Sequence, residues 1–175
     1  MTDEELETSF GYFKPEILPA KSYFLKEGKV ADKIAFVKSG LLRSFIYNDN
    51  ADDITTHFFL KGSVAISIYS FNHQVPSREN IVAIEDCELL AITYRNMQEL
   101  SQKVPVWQHI ANDTDQHKFN QEMNRNIRFQ TLSAKERYLQ LIEKQPEIIQ
   151  RVALKHIASY IGVDIATLSR LRKKL

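Results

Sequence analysis

The sequence predicts an α+β protein: a sandwich or barrel of short strands in the first half, a long central helix, and a helix–turn–helix at the end. Three observations carry this prediction. From about Ile17 to Ile92 the chain alternates or runs apolar over short stretches rich in β-branched and aromatic residues. From Tyr94 the apolar period becomes that of a helix. The closing stretch, LKHIASYIGVDIATLSRLRKKL, reads as two short helices around one glycine, with four cations in its final six residues.

The elements follow in order. A short helix is expected over Asp3–Ser9. KIAFVKSGLLRSFIYND and DDITTHFFLKG read as strands, and YNDNADD between them as a turn cluster. Gly28, Gly40 and Gly62 punctuate this region where turns are needed. Many short strands at roughly regular spacing indicate a sandwich or barrel, a jelly-roll-like arrangement. NIVAIEDCELLAIT closes it with two short strands around a turn at Glu85–Asp86. YRNMQELSQKV is a helix stopped by Pro105.

A long, rather polar helix is then expected from about Val106 to Phe129. Its apolar residues Phe119, Met123 and Ile127 recur every four positions and share one narrow face. Such a stripe suits pairing with another helix better than filling a monomer's core. SAKERYLQLIEKQP opens with a capping box, Ser133 and Glu136 exchanging hydrogen bonds. Leu139 and Ile142, with Tyr138, are expected to face inward, and Pro146 follows the helix end.

In the terminal pair, Ala158 is the small residue required where two helices cross closely. Gly162 supplies the positive φ of the turn, and Asp164 can cap the second helix by accepting from the N–H of Ala166 or Thr167. Ile157, Ile161, Val163, Leu168 and Leu171 anchor the inward face. Thr167, Arg170, Lys173 and Lys174 lie on the outward face. About ten helical residues span roughly 15 Å, which fits along a major groove about 12 Å wide.

Charge is distributed in the same sense. The chain has 175 residues, 43% of them apolar, and a net charge of +1. From Arg151 onward the net charge is +5, leaving −4 for the rest. Cys87 is the only cysteine, which excludes an internal disulfide and a thiolate-held iron–sulfur cluster, and a small buried apolar role is expected for it. His57, His73, His109, His117 and His156 form no tight cluster, so no metal and no cofactor is expected. No glycine-rich phosphate loop, nucleophile elbow or zinc-protease helix is present, so no enzymatic activity is expected. MTDEELETSF is acidic where a secretory signal would be basic and then apolar, and no apolar run approaches bilayer length. A cytoplasmic protein without membrane contact is expected.

HIASYIGVDIATLSRLRKKL, preceded by LSAKERYLQLIEKQPEIIQRVALK, resembles the DNA-binding end of the cyclic-AMP-receptor/FNR (Crp/Fnr) family of bacterial regulators. The likeness is closest to the short variants that stop at the recognition helix. FLKEGKVADKIAFVKSGLLRSF resembles the opening of the family's cyclic-nucleotide-binding-like β-roll, and PSRENIVAIEDCELLAIT its closing strands. The resemblance implies a β-roll sensor over 1–105, a central dimerisation helix over 106–130 and a helix–turn–helix DNA-binding domain over 131–175. It implies a homodimer on roughly palindromic double-stranded DNA, its recognition helices about 34 Å apart. RNA polymerase is a further candidate partner. The alternative from another class is a small-molecule-binding or protein-interaction module whose terminal hairpin packs on its own β-roll.

Residue roles carry over position by position. Arg170 matches a base-contacting arginine, and a bidentate contact to guanine discriminates by about 1–3 kcal/mol. Thr167 and Ser169 match positions that reach phosphates or bases. Ile165 and Ala166 stand where the best-known members carry Arg and Glu, so the operator should differ, with apolar contact to thymine methyls in their place. Lys173 and Lys174 suit phosphates. The β-hairpin wing of many members is missing from the match, and its phosphate contacts are not expected.

Members that bind cyclic nucleotides grip them with a Gly-Glu pair and a later Arg-Ser/Thr-Ala run. The matching stretch here runs from Gly62 to Asn80. Ser63 replaces the glutamate, and Ser77-Arg78 places the arginine one position late. A one-residue slip in a strand turns a side chain to the opposite face. A cyclic phosphate buried without a cation would cost several kcal/mol, on the order of an unpaired buried charge. Cyclic AMP or GMP is therefore not expected. Gly62, Ser63, Ser77 and Arg78 remain candidates for contact with an unidentified small effector.

Overall fold

Alternating burial along short strands organises the first half of the chain. The computed structural model describes residues 2–174, without the side chain of His117. Expectations that fall on Leu175 and on the His117 side chain lie outside the described residues. The strands are β1 (Lys14–Leu18), β2 (Tyr23–Leu25), β3 (Lys33–Ser39), β4 (Leu42–Tyr47), β5 (Asp53–Phe59), β6 (Val64–Ala65), β7 (Asn80–Ala83) and β8 (Cys87–Thr93). They form two four-stranded sheets, ordered β1-β8-β3-β6 and β2-β7-β4-β5. β8 pairs antiparallel with β1 (Lys14 opposite Ala91) and with β3 (Lys33 opposite Thr93). Two such sheets make a jelly-roll-like β-roll.

Contacts divide the chain into two compact units, residues 1–44 with 58–117, and residues 45–57 with 118–175. In the first, Leu42, Phe59, Ile81, Leu89 and Ile92 are sealed from solvent. Helix α1 (Asp3–Phe10) is capped by a Thr2–Glu5 box, and the first turn of α4 (Val106–Thr131) brings Trp107 into the same core. The Trp107 ring lies tilted against Phe13 with centres 5.4 Å apart, and its indole Nε1 donates to Ser9 Oγ at 2.8 Å. Cys87 is fully buried and donates to the Glu85 carbonyl at 3.2 Å. Gly40 has φ +93°, and a Cβ there would lie 2.6 Å from both the Asp86 carbonyl and Cys87 Sγ, so the strand turn tolerates no side chain.

One helix interrupts the region that the sequence presents as strands. α2 (Ile68–His73) buries Ser70 and Phe71 and ends at Gln74, which has φ +52°. Ile68 and Phe71 are three apart, a helical spacing hidden among apolar neighbours. Ser70 Oγ accepts from Ala31 N at 2.9 Å and donates to the Val75 carbonyl, which fixes the turn. α3 (Tyr94–Lys103) follows, capped by Thr93.

The second unit contains the rest of α4, then α5 (Ala134–Lys144), α6 (Pro146–Arg151), α7 (Leu154–Ile161) and α8 (Ile165–Lys173). α6 is an unexpected element: Pro146 does end α5, and it also occupies the first helical position of α6, where its missing N–H costs nothing. The α5 capping box is present, with Ser133 accepting from Glu136 N and Glu136 accepting from Ser133 N. The inward face of α5 is made by Tyr138 and Leu141, 3% and 6% exposed. Leu139 corrects the expectation: it is 40% exposed, because the buried pair at 138 and 141 turns position 139 outward. Ile148, Val152, Ile157, Ala158, Ile161 and Leu168 complete this core. On α4, Phe119, Met123 and Ile127 stay open to solvent at 59%, 49% and 49%.

Candidate nucleic-acid interface

The turn between α7 and α8 is built from backbone chemistry. Gly162 takes φ +73° and ψ +45°, and the N–H groups of Gly162 and Val163 satisfy the carbonyls of Ser159 and Ala158 at 3.1 and 3.0 Å. Ala158 is 1% exposed and Leu168 is sealed, so the two helices meet closely. A Cβ on Gly162 would lie 2.5 Å from Phe129 Cε1, so a side chain there would have to push the Phe129 ring aside.

Asp164 caps α8. Its carboxylate accepts from Thr167 N at 2.6 Å and from the Thr167 hydroxyl at 2.8 Å. These bonds, the backbone one first, hold the carboxyl below its ordinary pKa, and Arg170 adds a smaller pull in the same direction. Thr167 Oγ1 also accepts from Arg170 Nη2 at 3.1 Å. The chain Asp164–Thr167–Arg170 thus orients the Arg170 guanidinium, whose other N–H groups take no partner among the described residues.

With Leu168 buried and Leu171 half-buried, the opposite side of α8 is open. Arg170, Arg172, Lys173 and Lys174 are exposed, as are Ile165 and Ala166, while Thr167 and Ser169 are half-buried. Arg172, Lys173 and Lys174 take no carboxylate partner among the described residues. This surface offers exposed cations, one pre-oriented arginine and the apolar side chains of Ile165 and Ala166 along one short helix.

The support behind this helix was not visible in sequence. Ser159 Oγ accepts from Thr55 N at 2.8 Å and donates to the Asp53 carbonyl at 3.1 Å, tying α7 to β5. Arg125 donates to the carbonyls of Thr56 (2.9 Å) and Thr55 (3.1 Å) and lies 5.3 Å from the ring centres of both Phe129 and Tyr160. Arg137 donates to the Ile161 carbonyl at 2.9 Å and covers Phe129 at 4.8 Å. His57 lies 3.2 Å from Lys118 Nζ, and burial, with Lys118 and Arg125, holds its pKa at about 3.

The candidate effector residues fall in two places. Gly62 and Ser63 make the turn before β6, where the Ser63 hydroxyl donates to the Leu60 carbonyl at 2.7 Å. Ser77 is buried, bonded to Ser67 Oγ at 3.2 Å and to Glu79 N at 3.1 Å, whereas Arg78 is exposed. No hydrogen bond joins the two pairs. The half-buried Glu79, which sequence reasoning passed over, accepts a short hydrogen bond from the sealed Ser44 hydroxyl. No group of three metal-ligating side chains occurs among the described residues, and none of their helices is long and apolar enough to cross a membrane.

The architecture is that of a β-roll followed by a long helix and a helical unit. Residues 15–104 match the family model for the cyclic nucleotide-binding domain, and the chain belongs to that family. Solved structures of similar fold include bacterial regulators, one of them of the Crp/Fnr family. The c-di-GMP-responsive global regulator CLP of Xanthomonas campestris is 18% identical, with a TM-score of 0.77 over 99% of this chain and 91% of that one. FixK2 of Bradyrhizobium japonicum is 16% identical, with a TM-score of 0.76 over 93% and 84%. A protein of Eubacterium rectale classed with the Crp/Fnr transcriptional regulators is 15% identical, with a TM-score of 0.76 over 99% and 83%. At these identities the likeness is one of fold. A search of the curated proteins finds no match to the sequence.

Proposed function

We propose that the chain is a sequence-specific DNA-binding transcriptional regulator that acts as a homodimer. The observation that carries this reading is the division of α8, with Leu168 sealed on one side and Arg170, Arg172, Lys173 and Lys174 exposed on the other. Arg170 reads a base edge, with Thr167 and Ser169 beside it. Ile165, 49% exposed, and Ala166 meet thymine methyls, and Lys173 and Lys174 take phosphates. Functionally, 1–105 is the sensor, 106–130 the pairing helix and 131–175 the reader. The exposed Phe119–Met123–Ile127 stripe is the face on which a second copy pairs, setting two copies of α8 about 34 Å apart.

The β-roll is not a cyclic-nucleotide receptor in this reading. Arg78 is exposed, and just before β7 the Glu79 carboxylate accepts from Ser44 of β4, so a phosphate seated there would meet an anion. Any ligand of the Ser63 and Ser77 region is a different small effector.

Selection of duplexes from a random-sequence pool tests the regulator reading. It should enrich two related half-sites in inverted orientation, about 10 base pairs apart centre to centre. A pool that stays random after repeated rounds would overturn it.

A further inference from the structure

The second unit contains a half-enclosed cleft of about 610 Å3, walled by the last turns of α4, by α5 and by the end of α7. This volume is in the range of small-molecule sites. Its charges do not balance: Arg125, Arg128, Arg137 and Lys144 line it against the single carboxylate of Glu122. That carboxylate lies 4.0 Å from Arg125 and is more than half exposed, so it neutralises little of the remainder. His57 also lines the cleft and contributes no charge near neutral pH.

Arg125 and Arg137 are fixed by the backbone carbonyls they bond, and they act here as a rigid positive floor. Arg128 and Lys144 are the available donors. Arg128 commits Nε to the Asn124 carbonyl at 3.2 Å, and its terminal nitrogens take no hydrogen-bond partner among the described residues. Lys144 takes no ion-pair partner among the described residues. Gln140 adds a buried Oε1 that has no hydrogen-bond partner among the described residues. Surplus cations with N–H donors to spare, gathered along one half-enclosed cleft, are the arrangement that attracts a multiply charged oxyanion, the half-buried Arg128 more strongly than the exposed Lys144.

We propose that this cleft binds a small phosphate-bearing polyanion, with Arg128 and Lys144 as its principal ligands. The site does not depend on the DNA-binding reading. Combined with that reading, it is an effector site next to the Phe129–Gly162 contact, at the root of α8.

Isothermal titration calorimetry of the full chain with sodium pyrophosphate, at low salt and neutral pH, tests the proposal. One molecule should bind per chain. Arg128→Gln and Lys144→Gln should each weaken binding by about tenfold or more, the loss expected for one charge-assisted hydrogen bond. Both side chains reach the surface, and circular dichroism checks that the variants fold. Arg170→Ala should bind pyrophosphate as the parent does, even if it no longer binds DNA, which separates failure of this site from failure of the regulator reading. Absence of binding at millimolar pyrophosphate, or undiminished binding in the double variant, overturns the proposal. So does an Arg128→Gln variant that loses duplex affinity while the parent binds no pyrophosphate, because the cleft would then belong to the DNA footprint.

Discussion

The hydroxyl oxygen of Ser159 accepts a hydrogen bond from the backbone N–H of Thr55 at 2.8 Å, across 104 residues of sequence. The same hydroxyl donates to the Asp53 carbonyl at 3.1 Å, so one side chain on α7 stands in for a strand partner of β5. Ser159→Ala removes both bonds and withdraws the acceptor from a fully buried residue. The expected cost is about 1–3 kcal/mol, with faster hydrogen exchange at the Thr55 amide. Exchange there as slow as in the parent would show that the hydroxyl does not hold the hairpin.

Gly162 should accept no substitution. Its φ of +73° costs an L residue roughly 1–2 kcal/mol, and a Cβ would have to displace the Phe129 ring. Gly162→Ala is expected to lower Tm by several degrees, at about 2–4 °C per kcal/mol for a chain of this size. Pairing it with Phe129→Ala should recover the part due to the clash and leave the part due to backbone strain.

His57 makes stability depend on pH in a calculable direction. An unfolded imidazole takes its proton near pH 6.5, whereas folded His57 resists until about pH 3. Between these values the unfolded chain holds the extra proton. The stabilisation present above pH 6.5 is therefore lost as pH falls toward 3, at no more than about 1.4 kcal/mol per unit. Denaturant titrations at pH 6, 5 and 4 should show this slope, and His57→Gln should flatten it.

Ile127→Glu places a charge on an exposed α4 residue without touching either core. Sedimentation velocity should show the parent as a dimer and the variant as a monomer with unchanged helix content. A parent that sediments as a monomer at micromolar concentration would remove α4 as the pairing element.

Local rules made much of the fold legible in sequence. The Ser133–Glu136 box, the Asp164 cap and the left-handed Gly162 depend on neighbours within a few residues, and each is present where its residues predict. α2 was not legible because Ile66, Ile68 and Phe71 sit in a run too apolar to show one period. α6 was hidden because Pro146 signals both an end and a beginning. Leu139 looked inward because it belongs to an apolar pair with Ile142, while the core selected Tyr138 and Leu141. At the candidate interface the exposed face of α8 could be read from helical spacing. Its support could not: Arg125, Arg137 and Ser159 act through backbone carbonyls and amides far away in sequence, and no residue pattern encodes such a partner.

Binding of a selected duplex, followed by fluorescence anisotropy across a salt series, tests the central claim about α8 most directly. The parent chain should lose affinity steeply as salt rises. Lys173→Ala should reduce the log–log slope by about 0.9, the share of one phosphate contact. Arg170→Ala should cost about 1–3 kcal/mol and relax discrimination at one base pair. If the Arg170→Ala/Lys173→Ala double variant binds the duplex with the parent's affinity and salt slope, the exposed face of α8 is not the DNA-reading surface.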